Sequence, residues 1–275
     1  MNQPHSQQPD RYVVIGNPVA HSKSPWLHQG FARQTGEHLD YQTLLAPLDG
    51  FNTAVQQFIA TGGKGANVTV PFKLDAYALC TQLSERARAA GAVNTLSFSG
   101  QEIIGDNTDG HGLVTDLQRN AGVELKNQRI LVVGAGGAAR GALLPLLTCA
   151  PAELVIANRS MDKARLLADQ FSQYGNLRAS EFTRLQGSFD VIINATSASI
   201  SAQMPPLPVA IFNQSTLAYD MMYADQPTIF MQHAASHGAN TRDGWGMLVE
   251  QAAEAFYLWR GVRPETSPFL QRNPV

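Results

Sequence analysis

Two cysteines in 275 residues, Cys80 and Cys149, are too few and too far apart for a disulfide framework or a thiolate metal cluster. Both sit in apolar, helix-like segments and read as reduced core thiols. No stretch approaches the roughly 20 apolar residues that a membrane-spanning helix needs. Charge is scarce as well, at 15% of residues with a formal net charge of -2. There is no stripe of Lys and Arg, and so no footprint for nucleic acid. Residues 1–10 are polar with no apolar run, which reads as a short tail rather than a signal peptide and suggests a cytoplasmic protein. No Gly-x-Ser-x-Gly elbow is present, so acyl-transfer chemistry has no candidate nucleophile. His233 and His237 stand four apart on a helical segment. They lack the Glu of a zinc-protease motif and a third ligand, and read as surface histidines with no metal.

What is abundant is apolar. Hydrophobic residues make up 44% of the chain, enough for a sizeable core, and the length suits two domains. Strand patterns alternate with helical ones. Strands are expected at 11–16, 41–45 and 65–70, then a pair at 92–98 and 102–105, with helices from Ser24, over 51–61 and over 74–90. A helix over 109–121 leads into a second series, with strands at 130–133, 154–157, 189–194 and 217–220. Its helices are 138–147, 161–174 and 228–237, and the last, 246–259, is apolar almost all round. Residues 197–208 form a Ser/Pro-rich loop. Alternation of this kind predicts an α/β fold with two α/β domains and mainly parallel sheets.

The second series opens on a dinucleotide fingerprint. An apolar strand feeds Gly134-Ala135-Gly136-Gly137-Ala138-Ala139, and a helix follows. The first glycine suits the tight turn, and the second lets backbone approach a pyrophosphate. The small third position, Ala139, lets helix pack on strand. Free N–H groups and the helix dipole favour phosphate there. The following strand selects the nucleotide. An NAD site carries an acidic residue about 20 residues on, whereas this strand ends in Asn158-Arg159-Ser160 with Lys163 one turn later. Cationic donors suit a 2′-phosphate, which points to NADP(H). The plain alternative is a Ser-capped helix with two solvated basic residues.

The first half offers scattered polar groups on turns. Ser22 and Ser24 could both donate to one carboxylate, and equally Ser24 could be no more than a helix cap with Pro25 at the first helical position. Thr69 and Lys73 lie near the end of a strand, where α/β crevices open, although a lone lysine there is usually a surface charge. Asn94, Asp106, Asn107 and Asp109 sit in sequences that are also ordinary turn signals.

Together these segments resemble the shikimate dehydrogenase family. The matches include Ile15-Gly16-Asn17-Pro18-Val19-Ala20-His21-Ser22-Lys23-Ser24-Pro25, Gly65-Ala66-Asn67-Val68-Thr69-Val70-Pro71-Phe72-Lys73 and Gly91-Ala92-Val93-Asn94-Thr95. Asn107-Thr108-Asp109-Gly110, the Gly134 turn with Asn158-Arg159-Ser160, and Asn194-Ala195-Thr196-Ser197 follow. Tyr219-Asp220-Met221-Met222-Tyr223 and Asp243-Gly244 with Met247-Leu248-Val249-Glu250-Gln251-Ala252-Ala253 complete the order over nearly the whole chain. The family carries Asn where this chain has Gln29, and Thr where it has Ser160.

The resemblance implies reversible NADPH-dependent reduction of 3-dehydroshikimate to shikimate, with Lys73 catalytic and Asp109 its partner. Ser22, Ser24 and Tyr223 are implied at the substrate carboxylate. Thr69, Asn94, Asp109 and Gln251 are implied at the ring hydroxyls. NADP is implied on Gly134, Ala135, Gly136, Gly137 and Ala138, and on Asn158, Arg159, Ser160 and Lys163. Met221 and Gly244 would lie by the nicotinamide, with Glu85 on the cofactor side. Residues 1–109 plus 244–275 are expected to form the substrate domain, to which the last helix returns. Residues 110–243 are expected to form the Rossmann-like NADP domain. A quinate/shikimate dehydrogenase using NAD should carry an acidic residue near Asn158. A non-catalytic NADP-sensing relative should lose Lys73 or Asp109. The sequence leaves monomer or homodimer open.

Overall fold

A computed structural model describes residues 8–196 and 204–272; most of the polar tail and residues 197–203 of the Ser/Pro-rich loop lie outside them. The chain divides into two compact units. One holds the described residues up to Arg88, then Ala92–Thr108 and those from Ala252 on; the other holds Ala89–Gly91 and Asp109–Gln251.

The first unit contains β1 (Asp10–Gly16), α1 (Ser24–Thr35), β2 (Leu39–Leu45), α2 (Phe51–Ala60), β3 (Gly63–Val68) and α3 (Lys73–Leu79). It continues with β4 (Gln82–Leu83), α4 (Glu85–Ala90), β5 (Thr95–Ser99) and β6 (Glu102–Asp106). Its sheet has the order β2-β1-β3-β5-β6-β4. The β1–β2, β1–β3 and β4–β6 pairs are parallel, and β5 runs antiparallel to both β3 and β6. β1 is buried on both faces. Val13 and Ile15 join Val55, Phe58, Val68, Phe72 and Leu96 on one side, while Tyr12 and Val14 join Tyr41 on the other.

The helix expected over 74–90 is broken. Cys80 adopts extended backbone (ψ 135°), the Thr81 N–H bonds to the Ile103 carbonyl, and Gln82–Leu83 pairs with β6. Helix propensity favoured continuity, but the open edge of β6 offers ladder hydrogen bonds that the helix would leave unmade. Neither cysteine is deep core. Each half-buried thiol ends a helix, Cys80 Sγ bonding to the Ala76 carbonyl and Cys149 Sγ to the Pro145 carbonyl. Burial pushes Cys80 up to about 11.

The second unit contains α5 (Asp109–Thr115), β7 (Arg129–Val133), α6 (Gly137–Thr148), β8 (Glu153–Ala157), α7 (Met161–Phe171) and β9 (Leu177–Ser180). β10 (Val191–Asn194), β11 (Leu217–Asp220), α8 (Ile229–Ser236) and β12 (Asn240–Asp243) follow. The last helix, α9 (Trp245–Arg260), belongs to this unit up to Gln251 and to the first unit from Ala252. The sheet order, β12-β11-β10-β7-β8-β9, is parallel throughout. Read in chain order it is the doubly wound 3-2-1-4-5-6 arrangement, with its switch point between β7 and β10. Ile130, Val132, Leu154, Ile156, Val191 and Ile193 pack on one face, and Leu131, Val133, Val155, Ala157, Ile192 and Ala218 on the other. The helix expected over 109–121 ends in a π-turn at Asp116–Asn120. His233 and His237 are half-buried rather than on the surface, packed on each other and on Phe212.

One core residue ties stability to pH. His28 is fully buried, stacked on Tyr41 at 4.2 Å, and neither ring nitrogen makes a hydrogen bond of ordinary geometry. Burial drives its pKa down to about 3, against a smaller upward pull from Asn67. The unfolded chain protonates near 6.5, so this contribution is complete above that pH and is lost as pH falls. The loss is about 1.4 kcal/mol per pH unit, or about 2 kcal/mol by pH 5. In His28→Phe, the difference in unfolding free energy between pH 7 and pH 5 should shrink by about that amount in denaturant titrations. Equal differences in both proteins would show that the ring takes up its proton inside the fold.

Candidate active site

The glycine turn sits at the end of β7, at the switch point of the second unit. Gly134 has φ +111°, and a Cβ there would come within 2.9 Å of Thr196 Cγ2 and 3.3 Å of the Ala195 backbone, so glycine is required. Gly136 and Gly137 are different: among the described residues, nothing lies within 4 Å of where their Cβ atoms would stand. Gly136 caps α6 with extended backbone and no side-chain bond, leaving the first N–H groups of the helix facing that open space. Ala139 is fully buried and lets α6 lie close on the strand. A phosphate-bearing group fits this cradle. Ala135 and Ala138 complete the turn.

At the end of β8, the Asn158 amide donates to the Ser160 carbonyl (2.9 Å), which shapes the turn. Ser160 stands at the N-cap of α7 but its side chain makes no capping bond. Arg159, Ser160 and Lys163 are all exposed. The nearest carboxylate in sequence, Asp162, faces Arg165.

In the first unit, the loops bearing the candidate substrate residues gather at one end of the sheet. β1 and β3 run parallel, so Ser22, Thr69 and Lys73 follow strands that end side by side, and antiparallel β5 brings Asn94 to the same edge. The Thr69 N–H bonds to the Ile15 carbonyl and the Val93 N–H to the Lys73 carbonyl. Ser24 is not the helix cap; Lys23 occupies that position, and the Ser22 hydroxyl accepts the Ser24 N–H at 3.3 Å. Ser22 is half-buried and Ser24 buried. Gln29, where the family has Asn, donates to the Tyr41 carbonyl. Asn94 is buried, with Oδ1 accepting from the Thr108 N–H (2.8 Å) and Nδ2 donating to Thr108 Oγ1 (3.0 Å). Asp106 is held elsewhere, bonded by Arg86 and Ser84. Burial would raise its carboxyl, but these partners outweigh burial and hold it below the ordinary range. Arg86 also bridges to Glu254. Glu85 is exposed on the first turn of α4, in the first unit, whereas the Gly134 turn lies in the second.

The second unit brings its own candidates together through glycines. Asp109 opens α5. A Cβ on Gly110 would overlap the Gly141 carbonyl of α6, and one on Gly112 would stand 2.6 Å from the Met247 carbonyl and 2.7 Å from the Gln251 N. These two glycines let α5 pack closely against α6 and α9, fixing Asp109 relative to the dinucleotide turn and to Gln251. Gly244 abuts Met221, where a Cβ would overlap the Met221 carbonyl. Tyr223 lies edge-on to Trp245 at 5.6 Å.

Several supporting residues were not singled out from sequence. Asp220 is buried, accepting from Asn194 Nδ2 (3.2 Å) and Thr228 Oγ1 (2.7 Å), and so ties the end of β10 to the start of α8. Asp116, fully buried, takes two bonds from Arg242 and one from the Tyr219 hydroxyl. Gly65 gives room to Trp259, whose indole donates to the Leu96 carbonyl. The available signal was polar residues ending apolar strands, which marks position but not partner.

Comparison with known proteins agrees along the chain. Three family descriptions match in order: shikimate dehydrogenase substrate binding domain over residues 14–96, shikimate / quinate 5-dehydrogenase over 116–203, and shikimate 5′-dehydrogenase C-terminal domain over 244–272. A shikimate dehydrogenase (NADP(+)) of Herminiimonas arsenicoxydans is 62% identical, covering 95% of this chain and 96% of its own. Among solved structures, an Ael1 enzyme from Pseudomonas putida has a TM-score of 0.92 at 48% identity, covering 95% of this chain and 97% of that one. The shikimate 5-dehydrogenase of Thermus thermophilus, in complex with NADP(H) and shikimate, has a TM-score of 0.85 at 31% identity over 95% of this chain and 97% of that one. This chain belongs to the shikimate dehydrogenase family.

Proposed function

We propose that this chain catalyses the reversible, NADP-dependent interconversion of shikimate and 3-dehydroshikimate, a step of the pathway to chorismate and the aromatic amino acids. The observation that carries this reading is the 62% identity, over 95% of the chain, to a shikimate dehydrogenase (NADP(+)). Residues 1–109 with 244–275 would hold the substrate and residues 110–243 the cofactor. The division into two compact units supports that assignment in outline. The absence of a disulfide at either cysteine is compatible with the cytoplasm, where we place the protein.

NADP, when bound, supplies the hydride acceptor or donor. Gly134, Ala135, Gly136, Gly137 and Ala138 would hold its pyrophosphate, and Asn158, Arg159, Ser160 and Lys163 its 2′-phosphate. Met221 and Gly244 would lie by the nicotinamide, and Glu85 would sit on the cofactor side. Ser22, Ser24 and Tyr223 would hold the substrate carboxylate by donated hydrogen bonds. Thr69, Asn94, Asp109 and Gln251 would orient the ring hydroxyls. Lys73 would stabilise the developing alkoxide as an ammonium and give it a proton, taking the proton back in the reverse direction, with Asp109 as the partner that the family resemblance implies.

The test is to measure shikimate oxidation with NADP(+) and NAD(+), with quinate as a parallel substrate. Turnover of shikimate with NADP(+) is expected. Its absence would leave a binding or sensing protein, and equal use of NAD(+) and quinate would make the enzyme a broader dehydrogenase. Arg159→Ala should raise the KM for NADP(+) by about 10- to 100-fold, the range of one charge-assisted hydrogen bond, and leave that for NAD(+) nearly unchanged. A KM for NADP(+) that does not move would place the 2′-phosphate elsewhere.

A further inference from the structure

Gly16 closes β1, and its φ is not positive, so its backbone conformation is open to any residue. Space is what requires glycine there. A Cβ on Gly16 would overlap Thr69 Cγ2, whereas the carbonyl oxygens of Val70 and Pro18 stand farther off, at 3.3 and 3.5 Å. The Thr69 methyl therefore fills the notch that the missing Cβ leaves. The backbone around that contact is pinned: the Thr69 N–H bonds to the Ile15 carbonyl at 2.9 Å, and the Thr69 carbonyl accepts the Phe72 N–H at 3.0 Å.

The Cβ of threonine is chiral and stiff about χ1, so seating its methyl fixes the direction of its hydroxyl as well. Thr69 is half-buried at the end of the sheet where Lys73 and Asn94 also lie, and its hydroxyl bonds to none of the described residues. A half-buried hydroxyl aimed in one direction, with no partner among those residues, suits a hydroxyl of a ligand. With alanine at position 16 the pinned backbone does not yield, and Thr69 must turn by about 120° to its next staggered rotamer. Its hydroxyl then leaves the direction it had. Serine at position 69 has no methyl to displace, so the notch can hold a Cβ instead.

We infer that Gly16 is a positioning residue for the reaction: its missing Cβ seats the Thr69 methyl and so aims the Thr69 hydroxyl at a ring hydroxyl of the substrate. This rests on the proposed role of Thr69 as a substrate ligand. Gly16→Ala should lower kcat/KM for shikimate by about 10-fold, chiefly through KM, while the KM for NADP(+) stays within about two-fold. Thr69→Ser keeps the hydroxyl but frees it to rotate, and should cost about two- to three-fold. In that background Gly16→Ala should add less than about two-fold, because the new Cβ takes the place of the lost methyl. The double variant also serves if Gly16→Ala alone does not fold, since it restores the room. An equal factor in both backgrounds, a double variant that does not fold, or wild-type kinetics in a folded Gly16→Ala overturns the positioning role alone. Thr69→Val keeps the methyl and removes the hydroxyl, and should also lose about 10-fold. Wild-type kinetics there would take Thr69 off the substrate, and the role of Gly16 with it. Inactivity of the wild-type chain on shikimate overturns the functional reading itself.

Discussion

Lys73→Ala should lower kcat for shikimate oxidation by about 10²–10⁴-fold while the KM for shikimate changes little. That range is what one positioned acid–base group contributes. Lys73 opens α3 at the end of the sheet where Thr69 and Asn94 also lie, and its carbonyl is tied to the Val93 N–H, so the backbone holding it does not depend on the ammonium. Truncation therefore removes the proposed proton donor without disturbing the scaffold, and the loss should fall on kcat. Steady-state kinetics in both directions, with folding checked by circular dichroism, decide the matter. A variant that turns over near the wild-type rate removes Lys73 from the chemistry. A rise in KM with kcat intact would make it a binding residue.

Asp116→Ala should destabilise the second unit by about 3–5 kcal/mol, the usual cost of breaking a buried ion pair from one side. The carboxylate is fully buried and receives two of the Arg242 guanidinium nitrogens, at 2.6 and 2.9 Å, and the Tyr219 hydroxyl at 2.8 Å. Alanine leaves a guanidinium and a buried phenol without their acceptor, and packing does not recover that loss. Asp116→Asn keeps an acceptor for Tyr219 but loses the charge, and should cost less. Gly246→Ala probes the same spot from the other side, because a Cβ there would overlap the carboxylate. Hydrogen exchange of the β11 and β12 amides is the direct measurement. All three variants should accelerate it, with Asp116→Ala above Asp116→Asn, and unchanged protection in Asp116→Ala would mean the triad is not what holds these strands. Since α9 starts beside this carboxylate and carries Gln251, lost activity in these variants should follow lost protection.

The two halves of the molecule were legible to different degrees. In the second unit, continuous apolar strands such as 130–133 and 154–157 announced a doubly covered parallel sheet. The glycine turn lay where a strand passes into a helix, so fold and candidate cofactor site could be read together. The edge strands β9 and β12 could not. Leu-Arg-Ala-Ser and Asn-Thr-Arg-Asp carry little apolar signal, and they become strands because a neighbouring strand presents unmet backbone groups. In the first unit the sheet is mainly parallel, as expected, with β5 alone running against its two neighbours. The break at Cys80 has the same origin as those edge strands: local propensity favoured helix, and an open sheet edge outweighed it.

The sequence by itself determined the elements that local pattern controls. It set the Gly134 turn, the basic rather than acidic end of β8, the apolar strands, and the residue types around Ser22, Lys73, Asn94 and Asp109. A glycine's freedom, a lysine's charge and a strand's hydrophobic period are properties of a few adjacent residues. Only the tertiary structure decided which polar groups serve as partners: Asp106 to Arg86, Asp116 to Arg242 and Tyr219, and Tyr41 through Asn67 and Thr95 to Asn94. Apart from the adjacent Thr95 and Asn94, those partners are separated by 20 to 126 residues along the chain. A hydrogen bond depends on distance and direction in space, which no spacing along the sequence specifies.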